Sequence, residues 1–107
     1  MGIRILLVDD HKLLREGLRS LISAQSDMTV VAEAENGRSA IQSAVAQSPD
    51  VVVMDISMPG MNGIEATRQI LKARPAIRIM ALSMHPDVRM VLDMFSSGAS
   101  GYLLKEC

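Results

Sequence analysis

The stretch "ILLVDDHKLL", residues 5–14, changes character in its middle. Its first four residues are apolar, as a strand buried on both faces requires. Asp9 and Asp10 follow side by side; two adjacent carboxylates repel each other and Asp is a poor helix former, so neither serves the fold. Beyond them Leu14, Leu18, Leu21 and Ile22 recur at helical spacing. A buried strand, an acidic turn and an amphipathic helix open a βα unit.

The same rhythm repeats along the chain. Apolar, β-rich runs stand at Ile3–Val8, Met28–Ala34, Val51–Met54, Ile77–Leu82 and Gly101–Leu104. Between them, Ile41, Ala44 and Val45 form a second helical stripe, and Ile64, Thr67 and Leu71 a third. Val88, Val91, Leu92 and Phe95 form a fourth. Asn62 with Glu65 three residues on reads as a capping box, Pro86 suits a first helical position, and Gly98 and Gly101 bracket the exit from the fourth helix. Alternating β and α elements predict a parallel sheet with helices on both faces, an α/β, flavodoxin-like fold.

Composition narrows the classes open to such a chain. Its 107 residues make one domain with one core, and 49% hydrophobic content supports folding. Phe95 and Tyr102 are the only aromatics, so the core is aliphatic, with nine Met as adaptable filler. Net charge is −1 and no Lys/Arg block stands out, which argues against nucleic-acid binding by these residues. The single cysteine, Cys107, excludes an internal disulfide framework and a cysteine zinc site. The first apolar run is cut at Asp9, too early for a signal peptide or a membrane span, and Leu6 stands where a myristoylation signal needs Ser or Thr. The expectation is a soluble, cytoplasmic protein with no membrane partner.

The ends of the apolar runs carry the chemistry. The first is followed by Asp9-Asp10, the third by Asp55, the fourth by Ser83 and the fifth by Lys105. Open α/β sheets bind ligands beyond the carboxyl ends of their strands, at the switch point of strand order. Three acids, one hydroxyl and one ammonium therefore converge on one rim. Three carboxylates in one pocket call for a cation, and hard oxygen donors suit Mg²⁺. A carboxylate can also attack phosphorus to give an acyl phosphate, a transfer that needs mainly positioning and charge neutralisation.

"LLVDDH", "VVVMDISMPGMNGIEA", "IMALSMH" and "GYLLK" together resemble the receiver domain of two-component response regulators. "GASGYLLKE" is most similar to the subfamily whose receivers precede a LuxR/NarL-type helix-turn-helix domain. The resemblance spans essentially residues 1–107 and implies a five-stranded sheet of order 2-1-3-4-5. It further implies Asp55 as phosphoacceptor, with Asp10 a direct Mg²⁺ ligand and Asp9 acting through water or indirectly. Ser57 matches the position whose backbone carbonyl binds the metal. Ser83 matches the residue that hydrogen-bonds the phosphoryl group, Lys105 the lysine that pairs with it, and Tyr102 the switch aromatic. Met84 stands where a small residue often occurs, and Glu106 where many receivers have Pro, the residue behind that loop's cis peptide.

The resemblance implies a sensor histidine kinase as phosphodonor and transcription regulation through a DNA-binding domain absent from these residues. It also implies that the family's last helix is missing after Lys105, which leaves a sheet face open to self-association. Two rival functions use the same residues. A Mg²⁺-dependent small-molecule phosphohydrolase usually carries a second acid beside its nucleophile, whereas Ile56 and Ser57 follow Asp55. A receiver-like binding module that is never phosphorylated would keep the acids only for packing or metal, and failure to bind Mg²⁺ would favour it. His11 and His85, far apart in sequence, read as surface residues rather than ligands.

Overall fold

The computed structural model describes residues 2–56, 62–83 and 88–104. Elements alternate strictly: β1 Ile3–Val8, α1 Lys12–Ser23, β2 Met28–Ala34, α2 Gly37–Gln47, β3 Val51–Asp55, α3 Gly63–Ala73, β4 Arg78–Ser83, α4 Val88–Ser96 and β5 Gly101–Leu104. All strand pairs are parallel, ordered β2-β1-β3-β4, with β5 registered along the outer side of β4. The order reverses at β1, so crossovers of one hand put α1 on one face of the sheet and α2 on the other.

One face carries most of the core. Leu6 and Val8 of β1, Val52 and Met54 of β3, and Ile79 and Ala81 of β4 form a single buried layer with Ala40 and Ala44 of α2, Ala66 and Ile70 of α3, and Met94 of α4. Alanines at the α2 contacts let that helix lie close to the sheet. On the α1 face Leu7 is buried, but its neighbours in register, Val53 and Met80, are only half-buried.

Two stripes read from the sequence need correction. In α1 the packed row is Leu14, Leu18 and Ile22, spaced by four, while Leu21 is 69% exposed. In α4 the inward residue is Met94, at 0% exposure, whereas Leu92 and Phe95 face outward. The side chains of Val88 and Val91, the other members of the expected stripe, lie outside the described residues.

Caps fix where the helices begin and end. Asn36 accepts from the Ser39 backbone N–H at 2.9 Å, and Asn62 from that of Glu65 at 3.0 Å. The box at Asn62 is one-sided, because the Glu65 carboxylate turns along the helix to Arg68 and Gln69. Gly98, at φ 111°, closes α4: its N–H donates to the Phe95 carbonyl and that of Ala99 to Met94, both at 3.0 Å. This is a Schellman cap, which favours glycine at the left-handed position.

Candidate functional site

Acids stand at the carboxyl ends of two strands. β1 delivers Asp9 and Asp10, and the Asp9 N–H donates to the Ala34 carbonyl of β2 at 3.0 Å, tying down the exit of the chain. β3 delivers Asp55 as its last residue, paired in register with Leu82. Ser83 likewise ends β4, opposite Leu104. Asp55 and Ser83 were expected just beyond their strands; each is instead held inside the ladder by the neighbouring strand's register. Asp9 and Asp55 are each 1% exposed and Ser83 3%, whereas the Asp10 side chain is 28% exposed.

Burying carboxylates this completely is costly unless other groups compensate. Asp9, Asp10, His11 and Asp55 offer ligand atoms that all lie within 4.8 Å of one another. Several oxygen donors in so small a space match the preference of a hard divalent cation. The three acids expected to meet do meet. Ser83 stands at the end of the strand beside Asp55. Tyr102 lies in β5 opposite Ala81, and its side chain lies outside the described residues. So do Ser57, Met84, His85, Pro86, Lys105, Glu106 and Cys107.

Two side chains join the site without having been expected there. His11 is the surface residue the sequence suggests, 56% exposed, and its Nδ1 also lies 2.8 Å from Asp9 Oδ1 and 3.2 Å from Asp10 Oδ1. Its backbone N–H also donates to Asp9 Oδ1, at 2.7 Å, which turns the chain into α1. Arg15, one helical turn on, donates from a terminal guanidinium nitrogen to the Asp9 carbonyl at 2.6 Å and from Nε to Glu33 at 3.2 Å. Glu33 accepts from Arg19 as well, at 3.2 Å. Arg15 thus straps the start of the acidic turn to β2.

The start of α3 presses on the end of β3: its first residue, Gly63, lies so close that a Cβ there would collide with the Asp55 carbonyl oxygen and the Ile56 Cα. The Gly63 N–H donates to the Ile56 carbonyl at 3.4 Å. Glycine is needed here for space rather than for an unusual φ.

Fold and site together define a flavodoxin-like α/β domain built around an acidic, cation-suited pocket. Residues 5–107 match the family described as response regulator receiver domain, and the chain belongs to that family. It is 42% identical over 104 residues to the transcriptional regulatory protein DegU of Brevibacillus brevis, covering 97% of this chain and 44% of DegU. To the nitrate/nitrite response regulator protein NarL of Escherichia coli K12 it is 42% identical over 102 residues, covering 95% and 47%. A crystal structure of a LuxR-family two-component response regulator from Aurantimonas sp. SI85-9A1 superposes with a TM-score of 0.94 at 44% identity, covering 99% of this chain and 76% of that one. The chain spans about half the length of the curated relatives it matches. These relatives are transcriptional regulators, and phosphorylation and Mg²⁺ are typical of the family. Among the described residues no helix is long and apolar enough to cross a membrane.

Proposed function

We propose that residues 1–107 act as one phosphoacceptor domain, in which Asp55 takes a phosphoryl group from the phosphohistidine of a sensor kinase. The observation that carries this reading is the convergence of Asp9, Asp10 and Asp55 at the carboxyl ends of β1 and β3, with Asp55 1% exposed at the end of the central strand. In the transfer an Asp55 carboxylate oxygen bonds to phosphorus and the phosphorus–nitrogen bond breaks. The leaving imidazole takes a proton from solvent, and the product is an aspartyl phosphate.

Asp10, Asp55 and the Ser57 carbonyl would hold Mg²⁺, with Asp9 acting through water or indirectly. When bound, the ion supplies neutralisation of charge on the phosphoryl oxygens. Ser83, at the end of β4, donates its hydroxyl proton to a phosphoryl oxygen, and the Lys105 ammonium pairs with another. Tyr102, on the neighbouring strand, follows Ser83 and alters the surface near α4 and β5. The switch is thus a two-state shift driven by local charge. The output is transcription regulation in the cytoplasm, through a DNA-binding domain outside these residues.

Self-association belongs to the same reading. On the α1 side of the sheet Val53 and Met80 are half-buried, and Leu13 of α1 is 83% exposed. Association through that side predicts a sedimentation coefficient that rises with concentration in reductant. A constant monomer value overturns it.

Incubation with a small acyl-phosphate donor and Mg²⁺ tests the central reading. One phosphoryl mass, labile to hydroxylamine, is expected on the parent and none on Asp55→Asn. Equal labelling of that variant overturns the assignment. Steady turnover of a chromogenic phosphate monoester would instead mark a phosphohydrolase.

A further inference from the structure

His11 has no part in the function proposed above, yet its ring stands among the acids. One nitrogen, Nδ1, lies 2.8 Å from Asp9 Oδ1, 3.2 Å from Asp10 Oδ1 and 4.0 Å from Asp55 Oδ2. An ion about 2.1 Å from each of its donors sets neighbouring donors ~3.0 Å apart and opposite ones ~4.2 Å apart in octahedral geometry. The separations from Asp10 and Asp55, the two acids read as direct ligands, fall near those two spacings. The backbone holds the residue in place from both sides: its N–H donates to Asp9 Oδ1, and its carbonyl accepts from Arg15 N–H at 3.0 Å in the first turn of α1. The side chain is 56% exposed, so an ion arriving from solvent meets the ring and the acids together, with no movement of the core.

We propose that His11 is a further protein ligand of this pocket, through Nδ1, and that it opens the pocket to imidazole-binding divalent transition ions of the Co²⁺ and Zn²⁺ class. This rests on the reading of the acids as a cation site. Mg²⁺ is hard, keeps several waters and takes oxygen donors, so an imidazole adds little to its binding. Borderline ions accept imidazole and carboxylate together. Both kinds of ion use the same carboxylates and therefore compete, and His11 tilts the competition. In the structure Nδ1 and Asp9 Oδ1 share a hydrogen bond at 2.8 Å, so ligation requires an entering ion to displace that proton; the approach of Asp10 and Asp55 to the same nitrogen favours the exchange.

The test uses the full chain in a Cys107→Ser background, which removes the thiol as a rival ligand and keeps His85 in every arm. Co²⁺ is the probe, followed by its visible absorption and by calorimetry, with Mg²⁺ titrated separately. The expected result is a loss of Co²⁺ affinity of about tenfold or more in both His11→Ala and His11→Asn, with Mg²⁺ affinity changed by no more than about twofold. In the parent, Co²⁺ also shifts the His11 ring resonances paramagnetically. Equal Co²⁺ affinity in parent and variants overturns the proposal. So does a joint weakening of both ions in His11→Ala that His11→Asn restores, since the amide keeps a donor for Asp9 and the role is then positional. Failure of the parent to bind either ion overturns the cation site itself.

Discussion

The two ends of the same sheet treat charge in opposite ways. At the amino ends, Asp50 accepts from the Arg4 backbone N–H at 2.8 Å, while the Arg4 guanidinium donates to the Gln47 and Ser48 carbonyls at 2.7 and 3.0 Å. Arg74 braces the same corner through Val45 and Ser48. Charge there closes helix ends, including Ser48 in its left-handed C-cap. A groove at that end, lined by Ser48, Asp50, Arg74 and Arg78, holds no buried titratable residue. At the carboxyl ends like charges are packed together and two of the three acids are buried. One end spends its polar groups on the fold. The other sacrifices stability to hold a site, and that is what locates the function.

Closing the carboxyl-end pocket should have the largest effect. Gly63→Ala drives a methyl into the Asp55 backbone, with an expected loss of about 2–3 kcal/mol in chemical denaturation. Gly17→Ala, in a helix position where a Cβ meets nothing within 4 Å, should instead gain about 0.5–1 kcal/mol. A similar loss at both glycines would mean that α3 does not press on β3 as described.

Removing an acid should sharpen the contrast. Without divalent cations, Asp10→Ala should unfold no more easily than the parent, because it relieves repulsion with Asp9 and Asp55. With Mg²⁺ at 100 times the dissociation constant the parent should gain about 2.7 kcal/mol, and the variant much less. Equal gains in thermal melts would show that Asp10 does not bind the metal.

The amino end should respond in the ordinary structural way. Arg4→Ala gives up two hydrogen bonds to carbonyls at the end of α2 and should cost about 1 kcal/mol. Its Mg²⁺ affinity should stay that of the parent. A change in Mg²⁺ binding would couple the two ends and weaken the division drawn here.

Periodicity made the elements legible, since β-rich runs and helical stripes alternate with little ambiguity. It could not orient α4, whose sequence is apolar at Val88, Met90, Val91, Leu92, Met94 and Phe95 and so offers more than one helical stripe. It also misjudged strand ends by a residue: Asp55 and Ser83 belong to the ladder only because Leu82 and Leu104 stand opposite them. Asp9, Asp10 and Asp55 were legible because acids after buried strands have no reason to be there for packing. His11 and Arg15 were not. A histidine before a helix is locally ordinary, and its approach to Asp55 arises only when β3 lies beside β1. The Arg15–Glu33 pair spans 18 positions and depends on β2 docking against α1.

The most direct test is to find which residue carries the phosphoryl group. Treating the acyl-phosphate-labelled chain with borohydride reduces an aspartyl phosphate to homoserine, which peptide sequencing by tandem mass spectrometry locates. Homoserine at position 55 alone, and only when donor and Mg²⁺ are both present, is the expected result. Homoserine at position 9 or 10, or phosphate retained on Ser57 or Ser83, would contradict it.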